Sequence, residues 1–272
     1  MNYLQFDFET TDQVQADQLI ALLSEQNFEG FEEEDNSLKA FIPENLFSED
    51  EFAETVKIFP SIAYTKTSVE NINWNQQWES DYQPVIVDDF VGVRAHFHQP
   101  IENVEHQIII TPKMSFGTGH HATTHLMMQQ MRKIDFKNKS VLDFGTGTGV
   151  LAILAEKLGA SKIFAIDNDE WSITNTIENI QRNNASKIIV ELHNEIPVDE
   201  KYDIILANIN LNVISANVEA INRVSDLRTN VLLSGFLKEN EAEIRSSFLT
   251  KDFANFSTFQ KGDWIAIYAE KQ

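Results

Sequence analysis

The chain has 272 residues, 42% of them hydrophobic, enough to build a core in one or two domains and too apolar for a disordered tail. Its 21 Lys and Arg face 42 Asp and Glu, and the resulting formal charge of -21 repels phosphate backbones and anionic headgroups, so broad nucleic-acid binding is not expected. With no cysteine, a disulfide framework, a thiolate zinc site and a cysteine nucleophile are all excluded.

The first residues, Met1 to Asp7, carry neither a basic nor a long apolar region of the kind that directs export, and no run reaches the length of a membrane span. The expectation is a soluble, cytoplasmic protein with no membrane association, and a monomer. Tyr3 to Phe8 alternates as a strand does, and Val14 to Gln26, with Leu19, Ile20, Leu22 and Leu23, reads as a helix. Phe28 to Glu33 and Leu38 to Ile42 read as short strands about the turn-prone Asp35-Asn36-Ser37. A helix from Glu49 to Phe59 and a strand near Ala63 to Val69 complete a β-α-β-β-α-β order. Residues 1–70 are therefore expected to form a small ferredoxin-like α+β domain. They hold 16 acidic and 3 basic side chains, a local balance of 3 − 16 = −13.

Residues 71–83 contain Trp74 and Trp78 one helical turn apart in a polar setting. They read as a helical linker, or equally as a capping helix of the next domain. From residue 84 to 272 strands and helices alternate, the signature of a parallel sheet covered on both faces. Val231 to Gly235 reads as a fifth strand, and Phe256 to Phe259 with Trp264 to Ala269, joined through Lys261-Gly262-Asp263, as a closing antiparallel hairpin.

Five of the 10 glycines, Gly117, Gly119, Gly145, Gly147 and Gly149, crowd into one 33-residue window, which points to a ligand approaching the backbone. The stronger segment runs from Ser140 through Asp143-Phe144-Gly145-Thr146-Gly147-Thr148-Gly149 to Leu154: a buried strand, a glycine turn, then a helix whose first amides face the ligand. No Gly-Lys-Ser/Thr is present, so this is not a triphosphate-cradling loop. Val150 stands where a dinucleotide fingerprint has its third glycine. Glycines at the first, third and fifth places, with Asp143 just before, resemble the loop of Rossmann-like S-adenosylmethionine-dependent methyltransferases.

The strand Lys162 to Ile166 ends in Asp167, 18 residues past Gly149, where a carboxylate is placed to accept both ribose hydroxyls. Capping the next helix is its other reading, one for which Asp169 competes. The strand Tyr202 to Ala207 ends at Asn208, whose amide at a carboxyl edge can hold a substrate amine with its lone pair toward an electrophile, and Asn208 is the candidate catalytic residue. Upstream, Met114-Ser115-Phe116-Gly117-Thr118-Gly119-His120-His121-Ala122-Thr123-Thr124-His125 enters a helix. His121 and His125 are spaced for one helical face, but Ala122 replaces the glutamate of a zinc-protease helix, and no metal is expected. Thr123 and Thr124 suit helix capping, which leaves ligand contact open.

Together, Phe116-Gly117-Thr118-Gly119-His120 with Thr123-Thr124, the glycine loop, Ile166-Asp167 and Ala207-Asn208-Ile209 closely resemble the ribosomal protein L11 methyltransferases over nearly the whole chain. The resemblance implies a ferredoxin-like substrate-recognition domain, a connecting helix and a methyltransferase domain built on a mostly parallel seven-stranded sheet. It implies that Thr124, Gly145, Asp167 and Asn208 contact S-adenosylmethionine, with Gly147 and Asp143 in the same cofactor site and Phe116 and Thr118 near the methionine end. It further implies transfer of methyl groups to lysine side chains of the large-subunit ribosomal protein L11, and leaves open whether the N-terminal α-amine is also a target. Two positions depart from the family pattern: Ala122, where proline is frequent, and Asn210, where an apolar residue is usual. Methylation of another protein or small amine, a non-catalytic cofactor-binding ribosome-associated module, and a nicotinamide-dependent oxidoreductase are the competing functions.

Overall fold

The computed structural model describes the chain apart from residues 1, 11–12, 35–36, 61, 70–81, 113–116 and 118. The chain divides into two units, Met1–Tyr82 and Gln83–Gln272. The helix expected over 71–83 falls, but for its last two residues, outside the described part.

The first unit runs β1 (Tyr3–Glu9), α1 (Gln13–Ser24), β2 (Gly30–Glu34), β3 (Ser37–Pro43), a 3-10 turn (Glu44–Leu46), α2 (Glu49–Ile58) and β4 (Tyr64–Val69). Its sheet order is β2-β3-β1-β4 with every neighbour antiparallel, the ferredoxin-like arrangement. Period-two alternation puts Leu4, Phe6 and Phe8 of β1 on one face beside Leu38, Ala40 and Ile42 of β3. The helices close that face with Leu19, Leu23 and Phe52, the Phe52 ring lying 4.3 Å from that of Phe6.

The second unit opens on a small sheet that hydropathy did not announce: β5 (Val85–Val87), β6 (Val91–Ala95) and β7 (His106–Ile110). Strands of three to five residues, buried at nearly every described position of β6, offer no alternation to read. There follow α3 (Ala122–Met131), β8 (Ser140–Phe144), α4 (Val150–Lys157), β9 (Lys162–Asp167), α5 (Glu170–Arg182), β10 (Ile188–Leu192), β11 (Tyr202–Asn208), α6 (Leu211–Val224), β12 (Ser225–Leu237), α7 (Glu241–Leu249), β13 (Phe253–Lys261) and β14 (Trp264–Lys271).

Seven of these strands form one sheet in the order β10-β9-β8-β11-β12-β14-β13. The first five run parallel, and β14 lies antiparallel between β12 and β13. The closing hairpin is longer than its sequence signal and turns on Gly262, at φ +60°, and Asp263. Apolar residues on both faces of the central strands build two cores. One gathers α3, α4 and the small sheet, the other α6 and α7. After β8 the chain winds outward through β9 and β10 and then returns to place β11 on the other side of β8, making β8/β11 the topological switch point. Among the described residues no helix is long and apolar enough to cross a membrane.

Candidate active site

At the switch point three strand ends lie side by side: Phe144 of β8 pairs with Ile166 of β9 and with Ala207 of β11. Beyond them opens a cleft of about 450 Å³ whose wall includes Gly145, Gly147, Asp167, Asn208, His121 and Trp264.

The turn from β8 into α4 needs its glycines for two separate reasons. Gly145, Gly147 and Gly149 have φ of +77°, +57° and +78°, a region that side-chain-bearing residues rarely occupy. Space is also lacking: a Cβ on Gly145 would stand 2.1 Å from Ile209 Cγ2, and one on Gly149 2.8 Å from Thr176 Cγ2. The amides of Gly145 and Thr146 donate to the Ile166 carbonyl at 2.9 and 3.0 Å, anchoring the loop on β9.

Asp167 ends β9. Its Oδ2 accepts the Gly147 N–H at 2.9 Å and its Oδ1 the Asp169 N–H at 3.1 Å, so the carboxylate faces the loop. Capping of α5 belongs to Asp169, which accepts from the amides of Trp171 and Ser172. Of the two roles the sequence left open to Asp167, the cap is thus taken by its neighbour.

Asn208, 7% exposed, donates through Nδ2 to Thr124 Oγ1 at 3.1 Å, while its buried Oδ1 has no partner among the described residues. An unpartnered buried carbonyl costs free energy unless a ligand supplies a donor. Thr124 is fully buried and stands behind Asn208 rather than on the cleft wall. Asp143 likewise lies behind the loop. Its Oδ2 accepts the Thr146 hydroxyl at 2.7 Å, its Oδ1 has no partner among the described residues, and burial, with the Asp167 charge adding, pushes its carboxyl up to about 7. Phe116 and Thr118 fall outside the described residues; between them, the Gly117 carbonyl accepts from Thr148 Oγ1 at 2.8 Å.

The two spaced histidines serve different ends. His121 caps α3, its Nδ1 facing the Thr123 amide at 3.4 Å and hydroxyl at 2.8 Å, and its ring meets Trp264 edge-on at 4.6 Å between centroids. His125 lies off the cleft wall, and burial lowers its pKa. Among the described residues no group of three or more His, Cys, Asp or Glu is arranged to hold a metal.

Several lining residues escaped the sequence reading, among them Trp264, His193 and Gly235. Gly235 had a readable signal, a glycine inside a strand. Its φ is +103°, and a Cβ there would lie 2.1 Å from the Ile209 carbonyl oxygen, so β12 presses backbone to backbone against the segment that carries Asn208. Asn210, which departs from the family pattern, caps α6 by accepting the Val213 N–H at 3.1 Å.

A family model described as ribosomal protein L11 methyltransferase (PrmA) matches residues 6–272. The chain is 35% identical over 276 residues to the ribosomal protein L11 methyltransferase of Phocaeicola vulgatus, covering 98% of either chain. It is 37% identical over 281 residues to that of Porphyromonas gingivalis, covering 98% of this chain and 97% of the relative. A solved structure, the ribosomal protein L11 methylase from Lactobacillus delbrueckii subsp. bulgaricus, is similar with a TM-score of 0.65 at 27% identity, over 70% of this chain and 100% of that one.

Proposed function

The chain belongs to the ribosomal protein L11 methyltransferase (PrmA) family, and from that premise we propose that it methylates amino groups of ribosomal protein L11, lysine side chains and the N-terminal α-amine, with S-adenosylmethionine as donor. The observation that carries this reading is the buried Asn208 Oδ1, an acceptor without a partner at the carboxyl edge of the sheet, on the wall of the cleft that also holds the glycine loop and Asp167.

The residues present fit the cofactor. Gly145 and Gly147 put backbone rather than side chains on the cleft wall, and the Asp167 carboxylate at the β9 end keeps lone pairs for two ribose hydroxyls. Asp143 and Thr146 support the loop from behind. Bound S-adenosylmethionine supplies a methyl group made electrophilic by its sulfonium. For the acceptor, Thr124 fixes the Asn208 amide so that Oδ1 can take one N–H of an unprotonated amine and turn the nitrogen lone pair along the line of transfer. Such positioning can supply a large part of the acceleration that methyl transfer needs. The acidic excess of residues 1–70 complements a basic protein substrate and discourages anionic ones.

The test pairs two measurements. Incubation with S-adenosylmethionine and purified L11, followed by peptide mass spectrometry, should place methyl groups on lysine Nζ and on the α-amine; modification confined to other atoms would overturn the reading. Asp167→Ala should weaken binding of S-adenosylhomocysteine severely in a calorimeter while the protein stays folded, and an unchanged affinity would remove Asp167 from the ribose.

A further inference from the structure

Helix α5 is built the wrong way round for an ordinary surface helix. Its fully or nearly fully buried residues are Ser172, Asn175, Thr176 and Asn179, all polar, whereas Trp171 is 77% exposed. Burying a polar helix face is unfavourable unless its groups are partnered. Ser172 answers to Asp169, and Asn175 Nδ2 has no partner among the described residues, but two of the bonds reach into the glycine loop. Thr176 Oγ1 donates to the Gly147 carbonyl at 2.8 Å, and Asn179 Nδ2 donates to the Thr148 carbonyl at 2.8 Å and to Asn175 Oδ1 at 3.0 Å. Asn179 Oδ1 in turn accepts the Thr111 N–H at 2.7 Å, just past β7.

The consequence concerns which way the loop peptides point. With the Gly147 and Thr148 carbonyls drawn back onto α5, those oxygens are kept away from a ligand in the cleft. The Gly147 N–H is turned the opposite way, onto Asp167. One residue of the loop is therefore held from both sides by the same β9-α5 unit.

We propose that Thr176 and Asn179 are positioning residues for the cofactor: by holding the Gly147 and Thr148 carbonyls against α5 they set the loop geometry that S-adenosylmethionine meets. This rests on the cofactor reading given above, since it assigns the loop the same ligand.

Thr176 allows a clean dissection, because its two γ atoms do different things. Its hydroxyl holds the Gly147 carbonyl, and its methyl Cγ2 packs at Gly149. Thr176→Val keeps a methyl and loses the hydrogen bond; Thr176→Ser keeps the hydrogen bond and loses the methyl. S-adenosylhomocysteine affinity by calorimetry, thermal midpoint, and kcat and KM for both substrates are measured on the full-length protein. Thr176→Val should bind roughly tenfold more weakly, with the matching rise in KM for the cofactor, an unchanged KM for L11 and a kcat at saturation within about twofold of wild type. Thr176→Ser should bind within about twofold of wild type even where its thermal midpoint falls as far. Wild-type affinity in Thr176→Val, or equal losses in the two variants, would overturn the proposal. Should Thr176→Val not fold, Asn179→Asp carries the same comparison: it keeps an acceptor for Thr111 and replaces the donor to Thr148, and wild-type affinity there overturns the proposal equally. Failure of the wild-type protein to bind S-adenosylhomocysteine would instead refute the cofactor reading beneath it.

Discussion

Ile209 is wedged between two glycines, and the wedge makes a sharp test of how Asn208 is held. Its side chain fills the space beside Gly145, where a Cβ would lie 2.1 Å from Cγ2. Its backbone fills the space beside Gly235, where a Cβ would lie 2.1 Å from the carbonyl oxygen, 2.6 Å from the carbonyl carbon and 2.8 Å from the nitrogen. Both glycines sit at positive φ, so alanine at either adds backbone strain of about 1–3 kcal/mol to the overlap. Relieving the Gly235→Ala overlap requires the Asn208-Ile209 backbone to retreat by roughly 1 Å, given carbon contact distances near 3.5 Å. A shift of that size at a reacting group costs on the order of 100-fold in rate. Gly235→Ala should therefore lose about 2–4 kcal/mol of stability and about two orders of magnitude in kcat with L11. Ile209→Ala separates the two sites. Added to Gly145→Ala it removes the obstructing methyl and should recover about 1–2 kcal/mol; added to Gly235→Ala it leaves the backbone obstacle and should recover nothing. Urea unfolding gives the stability cycle and a methylation assay the rates. Wild-type turnover in Gly235→Ala, or equal rescue of both glycine variants by Ile209→Ala, would refute the reasoning.

Further tests address charge and hydrogen bonding at the same site. Because burial holds the folded Asp143 carboxyl up at about 7 against an ordinary 3.8, the folded chain binds the proton more tightly than the unfolded one. Its favourable contribution is complete below pH 3.8 and is lost as pH rises through about 7, a swing of about 4 kcal/mol. Asp143→Asn should therefore gain stability relative to wild type between pH 5 and 8 in urea titrations, and parallel profiles would contradict this. Thr124→Val removes the acceptor that fixes Asn208 Nδ2, so kcat should fall about tenfold with S-adenosylhomocysteine affinity nearly unchanged; a loss in affinity instead would place Thr124 on the cofactor. If the acidic excess of the first 70 residues draws in a basic substrate, the KM for L11 should rise severalfold between about 0.05 and 0.3 M salt while kcat holds, and a flat KM would remove that role.

The features that the sequence alone determined arise from local demands on the backbone. Three alternate glycines after a buried strand mark a tight turn where side chains are unwelcome, and all three adopt positive φ. Asp167 and Asn208 end strands whose apolar runs were visible in the chain, and the rule that α/β sheets carry ligands at their carboxyl edges brought them to notice. The β-α-β-β-α-β order of the first unit was equally plain, because Phe6 and Phe8 alternate with polar neighbours and only one face can be buried. Only the tertiary structure could decide what depends on contacts across long stretches of chain. Thr124 meets Asn208 across 84 residues, so a threonine that reads as a cap or ligand group stands behind the site. Gly235 is needed because of the Ile209 carbonyl, a neighbour that no local pattern reveals. Hydropathy also misleads on α5, where buried asparagines and an exposed tryptophan reverse the usual faces. The reason is physical: periodicity reports which side chains avoid water, whereas here part of the inward face is chosen by which side chains can answer the carbonyls of the glycine loop.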